Sequence, residues 1–270
     1  MSLVNVSWLE QNLDKVKIID CSWHMPQTKR NGFEEYQMRH IKNATFFDLD
    51  KNSKTDTNLP HMLTDIKSWE KIVSSLGIGN EDQIVIYDNS DVISSCRCWY
   101  NFIYFGHDPD LVHVLDGGLK KWINENKPIV TNLTKVKVSN YQATEKKKLV
   151  KNKEEINENI SINKFKIIDA RSRERFNGKI AEPRKDLRSG SIKNSFNLPF
   201  SELINENHTF INKATIHEKF KLTKCELDEN IVFTCGSGVT ASVLALAYSL
   251  IDTKYMPTIY DGSWSEYGKN

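Results

Sequence analysis

An α/β architecture in two tandem halves, each a largely parallel sheet flanked by helices, follows from three features of this 270-residue sequence. Short apolar, β-branched runs alternate with segments whose apolar residues recur at helical spacing, the pattern of strands covered by helices on both faces. Landmarks of the first half recur in the second. Lys17-Ile18-Ile19-Asp20 returns as Lys166-Ile167-Ile168-Asp169 at a shift of 149, and Ile41-Lys42-Asn43 as Ile192-Lys193-Asn194 at 151. Ile84-Val85 before Tyr87-Asp88 returns as Ile231-Val232 before Thr234-Cys235 at 147, and Asp116-Gly117 as Asp261-Gly262 at 145. The third feature is a strand that runs into a short glycine-bounded loop and straight on into an apolar helix, Ile231 to Ile251.

Taken in order, Ser7-Trp8-Leu9-Glu10 has the form of a capping box opening a short helix, and Val16 to Asp20 reads as a strand. Gly32 to His40 is a polar helix. Thr64 is the expected cap of a longer one, in which Ile66, Trp69, Ile72, Val73 and Leu76 share a face until Gly77 stops it. Ile84 to Tyr87 is a core strand, Ser94 to Phe105 an aromatic-rich helix ended by Gly106, and Val112 to Leu115 a strand leading into Asp116-Gly117-Gly118. Between Pro128 and Asn163 the composition shifts to Lys, Asn, Thr and Glu. We therefore expect domains at 1–130 and 151–270 joined by a linker at 131–150, with helix restarting over 151–160.

Cys235-Gly236-Ser237-Gly238-Val239-Thr240 follows the strand Ile231 to Phe233 and leads into the run Ala241 to Ile251. Backbone N–H groups of such a loop, with the N-terminus of the next helix, make an anion-binding concavity that favours thiolate over thiol. Cys235 is accordingly the candidate nucleophile. A packing cysteine would not call for Gly, Ser and Gly directly after it. A loop-cysteine phosphatase would need an arginine at the far end of the loop, where Thr240 and Ala241 stand instead. The repeat puts Asp88 at the position of Cys235, so the first half lacks the candidate nucleophile.

Charge and composition narrow the partners. Lys and Arg number 37 against 35 Asp and Glu, a formal charge of +2, which does not suggest a nucleic-acid or membrane-surface protein. The run Ala241 to Ile251 is too short to span a bilayer, and Met1 to Ser7 lacks the features of a secretion signal, so a cytoplasmic protein is expected. Five cysteines, an odd count, argue against a disulfide framework. Cys96-Arg97-Cys98 has the wrong spacing for a zinc pair, and neither metal nor organic cofactor is expected.

The loop Cys235 to Thr240 resembles the CG(S/T)GVT active-site loop of the 3-mercaptopyruvate sulfurtransferases, a branch of the rhodanese superfamily. Leu115-Asp116-Gly117-Gly118-Leu119 with Trp122, Glu182-Pro183-Arg184 and Tyr260-Asp261-Gly262-Ser263-Trp264 resemble the same family in the same order, across most of the chain. The resemblance implies two rhodanese-like domains, the first without catalytic function, and an active site between them. It implies sulfur transfer from 3-mercaptopyruvate through a Cys235 persulfide to a thiol such as thioredoxin or glutathione, or to cyanide, with release of pyruvate. Thiosulfate:cyanide sulfurtransferase and a non-catalytic persulfide carrier are the alternatives. The neutral Gly236 and Ser237, where thiosulfate enzymes carry basic side chains, favour a thiol donor.

By the same resemblance the backbone of Gly236, Gly238, Val239 and Thr240 holds the anionic sulfur, and Arg175 and Arg184 bind the 2-oxo acid, a geometry suited to bidentate guanidinium. Without the resemblance, Arg171 to Arg175 with Glu182-Pro183-Arg184 would read as a solvated charge cluster. Ser237, His61 and Asp50 are the counterparts of a Ser–His–Asp arrangement proposed in that family, with His61 as the proton-transfer group. Trp23 stands where the family has an aromatic near the cleft, and serves equally well as a core residue. Ser191 and Asn194 replace the customary His and Gly of a second-domain turn.

Overall fold

The computed structural model describes residues 2–224, 227 and 229–269. The chain divides into two compact units. One comprises 1–55, 63–146 and 206–209, the other 56–62, 147–205 and 210–270.

In the first unit the strands are β1 (Leu3–Val4), β2 (Lys17–Asp20), β3 (His40–Ile41), β4 (Ala44–Phe46), β5 (Ile84–Tyr87), β6 (Val112–Leu115) and β7 (Ile129–Val130). Five of these pair in parallel in the order β1-β6-β5-β2-β4, and β3 and β7 form a separate antiparallel ribbon. Helices α1 (Val6–Asn12), α2 (Gly32–Met38), α3 (Ile66–Ser75), α4 (Ser95–Tyr104) and α5 (Gly118–Asn124) connect them. Parallel neighbours need such crossovers, and β2, β5 and β6 are buried almost throughout, as a sheet covered on both faces requires.

The second unit repeats this plan. Its strands are β8 (Val150–Lys151), β9 (Lys166–Asp169), β10 (Phe196–Asn197), β11 (Ile231–Thr234) and β12 (Ile259–Tyr260), all parallel in the order β10-β9-β11-β12-β8. Read from the opposite edge, that is the first sheet's order with each strand replaced by its counterpart. Helices α6 (Lys153–Ile162), α7 (Arg173–Phe176), α8 (Lys213–Leu222), α9 (Val239–Ser249) and α10 (Ser263–Tyr267) complete the unit. The duplication extends to single hydrogen bonds. Phe47 N–H donates to Asp20 O at 2.8 Å as Leu198 N–H does to Asp169 O at 3.0 Å, and Leu119 N–H donates to Asp88 O at 2.9 Å as Trp264 N–H does to Cys235 O at 2.9 Å.

Several expected details move. Asn5, not Ser7, caps α1, its side chain accepting from Trp8 N–H, because Val6 already takes helical geometry and Leu9 is buried from that register. Asp65, not Thr64, caps α3, with one carboxylate oxygen on Ser68 N–H at 3.0 Å and the other on the Ser68 hydroxyl at 2.7 Å. Helix α9 begins at Val239 and ends at Ser249, two residues short of the apolar run's end. Residues 131–146, expected within a linker, have neither helix nor strand, yet Ser139, Thr144 and Lys146 donate to carbonyls of Ser74, Phe105 and Tyr104, and Tyr141 is buried. This segment is held against the first unit by backbone hydrogen bonds that composition does not reveal.

The two units treat the carboxylate at the end of their second strand differently. Asp20 is buried and accepts from Ser22 N–H at 2.9 Å and the Ser22 hydroxyl at 2.5 Å. Burial pushes its carboxyl up to about 7, against the opposing pull of the Ser22 and Tyr87 hydrogen bonds. Because the unfolded-state carboxyl ionises first, this group lowers stability as pH rises from about 4 to about 7, and the loss then stays constant. Urea unfolding of Asp20→Asn and the parent across that range should show the parent losing stability relative to the variant, by a few kcal/mol at most on the order set by the linkage relation. A difference that does not change with pH would show that Asp20 stays ionised throughout.

Candidate active site

In the second sheet the chain leaves β9 toward β10 on one side and β11 toward β12 on the other. Loops after β9 and β11 therefore diverge, and the crevice between them is where ligands collect in open α/β sheets. Cys235 follows β11 directly. Arg171 and α7, which carries Arg175, follow β9. The topology alone brings the thiol and the arginine-rich segment to one end of neighbouring strands.

The geometry of the Cys235 loop is set by the segment that opens α10. Cys235 O accepts from Trp264 N–H at 2.9 Å, and Gly236 O accepts from Ser265 N–H at 2.9 Å and from the Ser265 hydroxyl. In a trans peptide the N–H points opposite to the carbonyl it follows, so the N–H groups of Gly236 and Ser237 face away from α10. Among the described residues the N–H groups of Gly236, Ser237 and Gly238 have no backbone acceptor. Val239 and Thr240, as the first residues of α9, add N–H groups with no intrahelical partner and the positive end of the helix dipole. Gly238 has φ 80°, a left-handed conformation that a side chain would strain. The Cys235 N–H is held by the Ser263 hydroxyl at 3.2 Å, and Cys235 itself is 2% exposed. The result is a tight turn with unsatisfied donors, suited to an anion.

The arginines expected to bind substrate are both beside this loop, and they differ. Arg175 is clamped by Glu182, Nη2 to Oε2 at 2.5 Å and Nε to Oε1 at 3.2 Å, and a Cβ placed on Gly236 would lie 3.3 Å from Arg175 Nη2. Arg184 donates to the Ser265 hydroxyl at 3.3 Å, and among the described residues no carboxylate reaches ion-pair distance of it. Burial lowers its pKa from the usual value and Arg175 adds to the lowering, while charge on Cys235 opposes it, so the three groups share one electrostatic neighbourhood. A partly buried guanidinium with no carboxylate at ion-pair distance among the described residues, in the neighbourhood of a thiol, is a place for an anionic ligand.

Arg171, not singled out for function, is the support beneath. Fully buried, it donates to Asp169 through Nη2 at 2.7 Å, to Glu182 through Nη1 at 2.8 Å and to Gly190 O at 2.8 Å, and lies 4.3 Å over the Trp264 ring. Burial lowers its pKa, but the Asp169 and Glu182 charges outweigh that and the net shift is upward. Its signal in the sequence is position: Arg171 stands where the first half has Ser22, so the strand-end carboxylate that is left to neutralise itself there is matched here by a guanidinium. Arg173, with its side chain 55% exposed and 2.5 Å from Glu202, is the part of the cluster that is a solvated charged face.

His61 falls in the same unit as Cys235, buried at φ 60°, with Nδ1 2.9 Å from the Ser237 hydroxyl. Asp50 belongs to the other unit, where its two oxygens each lie 3.0 Å from the Trp23 indole N–H. Asp88, the counterpart of Cys235, turns its carboxylate onto its own loop, accepting from Ser90 N–H at 2.8 Å and Ser95 N–H at 2.9 Å. Among the described residues no cluster of His, Cys, Asp and Glu could hold a metal ion, and no helix is long and apolar enough to cross a membrane. A cavity of about 620 Å³ opens beside Asn230, Ile231 and Tyr255, at the opposite end of β11 from Cys235, and none of the candidate residues lines it.

The Rhodanese-like domain family model matches residues 5–125 and again 152–270. The chain is 35% identical over 288 residues to thiosulfate/3-mercaptopyruvate sulfurtransferase 1, mitochondrial, of Arabidopsis thaliana, covering 98% of this chain and 75% of that protein. It is 35% identical to the 3-mercaptopyruvate sulfurtransferase of Mus musculus, covering 98% and 91%. The crystal structure of SseA from Escherichia coli, described with the 3-mercaptopyruvate sulfotransferases, superposes with a TM-score of 0.87 at 30% identity over 98% of this chain and all of that one.

Arg171→Met should lower the unfolding free energy by about 3–5 kcal/mol, because Asp169 and Glu182 would be left buried without their shared cation. Denaturant unfolding checks this; a loss within a few tenths of a kcal/mol would mean that the network relaxes without cost.

Proposed function

This chain belongs to the rhodanese-like family, and from that premise we propose that it is a 3-mercaptopyruvate sulfurtransferase acting without metal or organic cofactor. Sulfurtransfer through a cysteine persulfide is the family's chemistry; the donor, the acceptor and the residue roles that follow are our reading. Cys235, as thiolate, attacks the sulfur of 3-mercaptopyruvate. The S–S bond forms as the donor's C–S bond breaks, the donor's thiol proton passes by way of a base to the departing enolate carbon, and pyruvate leaves. An acceptor thiolate such as thioredoxin or glutathione, or cyanide, then attacks the outer sulfur and frees Cys235. Two half-reactions sharing one covalent intermediate imply ping-pong kinetics. The backbone of Gly236, Gly238, Val239 and Thr240 stabilises the outer sulfur anion. Arg184 receives the donor's carboxylate, with Arg175 beside it. Ser237 and His61 carry the proton, and Asp50 is the proposed third member of that relay.

Arg184 is the observation that carries this reading: a guanidinium that, among the described residues, has no carboxylate at ion-pair distance and shares its electrostatic neighbourhood with the thiol. The loop's neutral side chains support a thiol donor over thiosulfate, whose two charges would ask for more cation. In this reading 1–130 keeps the fold without the chemistry, 131–150 connects, 151–270 carries the nucleophile, and the protein works in the cytoplasm.

Intact-protein mass after exposure to 3-mercaptopyruvate should rise by one sulfur atom and return on addition of a thiol, with kcat/KM higher for 3-mercaptopyruvate than for thiosulfate. Cys235→Ser should fold normally and show neither mass gain nor turnover. Preference for thiosulfate would make the protein a thiosulfate:cyanide sulfurtransferase, and a stable persulfide that thiols do not discharge would make it a carrier. His61→Gln should flatten the pH–rate profile of the first half-reaction, and a profile superimposable on the parent's would remove His61 from the proton path.

A further inference from the structure

We propose that Ser265 is a positioning residue that ties Arg184 to the Cys235 loop, so that one hydroxyl sets the distance between the cation for the donor's carboxylate and the amides for its sulfur. This rests on reading Arg184 as the carboxylate anchor. The hydroxyl is used from both sides: its proton goes to Gly236 O, and its oxygen accepts from Arg184 Nη1 at 3.3 Å. Ser265 N–H also donates to Gly236 O at 2.9 Å, so the same residue fixes the peptide plane that turns Ser237 N–H into the loop. Ser265 is 2% exposed and lies within α10, so the hydroxyl is shielded from competing water.

The first unit shows what else can stand there. At the 145-residue shift that relates Asp116 to Asp261, the counterpart of Ser265 is Lys120. Its ammonium reaches 2.9 Å from Asp91 and 2.6 Å from His208, filling the ground beside its own loop with charge. A short hydroxyl in the Cys235 unit leaves that ground open. It holds Arg184 by a neutral contact that keeps the guanidinium's full charge for a ligand, whereas Arg175, clamped on Glu182, has spent its own. A guanidinium has rotamer freedom to lose, and a fixed acceptor lowers the entropy lost when a carboxylate docks.

The test is a double-mutant cycle on single-turnover persulfide formation from 3-mercaptopyruvate, using Ser265→Ala, Arg184→Gln and the pair. Ser265→Ala should raise the half-saturating donor concentration by about five- to tenfold, the net worth of one ordinary hydrogen bond. Discharge of the persulfide to a thiol should change by less than donor binding does, because the Ser265 N–H still holds Gly236 O, and Ser265→Thr should restore donor binding. In the Arg184→Gln background the Ser265→Ala effect should shrink to less than about twofold. Equal losses in both backgrounds, or a Ser265→Ala variant that binds donor like the parent, would overturn the proposal. If Ser265→Ala does not fold, Ser265→Cys, which keeps the volume but accepts hydrogen bonds poorly, supplies the same comparison. A parent that takes sulfur from no donor would overturn the proposed function, and this inference with it. An active parent with additive losses overturns Ser265 alone.

Discussion

Two carbonyl groups, those of Cys235 and Gly236, are turned toward α10 and held there by the N–H groups of Trp264 and Ser265. Their anchoring decides where the next amides point, because peptide planarity leaves no independent choice. The apolar α9 supplies the rest: buried on nearly every side, it cannot shift to relax the loop, and its first turn presents further free N–H groups. Trp264, stacked under Arg171 and donating its indole N–H to Arg188 O, fixes the short helix that does the holding. The electropositive turn is thus a consequence of how α9 and α10 hold it.

The duplicated first unit shows which parts of this arrangement belong to the fold. Leu119 holds Asp88 O as Trp264 holds Cys235 O, so the carbonyl anchor is common to both halves. What differs is chemistry. Asp88 satisfies two amides of its own loop with its carboxylate, leaving those donors committed. Ser22 in place of Arg171 leaves a strand-end carboxylate to be neutralised by protonation, whereas the second unit pairs it with a guanidinium that also holds Glu182 and, through it, Arg175. One scaffold carries a self-satisfied loop in one half and an open one in the other.

Much of this was legible in the sequence because the strands are short apolar runs bounded by Gly and Asp, and because the repeat checks each strand against its counterpart. Ile84–Tyr87 and Val112–Leu115 needed no revision. Helix starts were less legible: Asn5 and Asp65 won over Ser7 and Thr64 because tertiary burial of Leu9 and Trp69 fixes the register, and several residues nearby can cap. The strand, loop and helix around Cys235 were readable from glycine spacing, but the contrast between Arg175, clamped by Glu182, and Arg184, with no carboxylate at ion-pair distance among the described residues, was not. It depends on which guanidinium Glu182 reaches, a matter of side-chain geometry across a loop. Arg171 could have been found by aligning the two halves at Asp20 and Asp169, since the exchange of Ser22 for arginine is visible there.

The central claim is that the amides beyond Cys235 hold an anionic sulfur. The most direct measurement is a crystal structure of the protein after reaction with 3-mercaptopyruvate in the absence of acceptor. The account predicts one extra sulfur on Cys235, within about 3.5 Å of the N–H groups between Ser237 and Thr240, a distance at which N–H donors engage sulfur. Extra density on another cysteine, or an outer sulfur turned away from those amides, would contradict it.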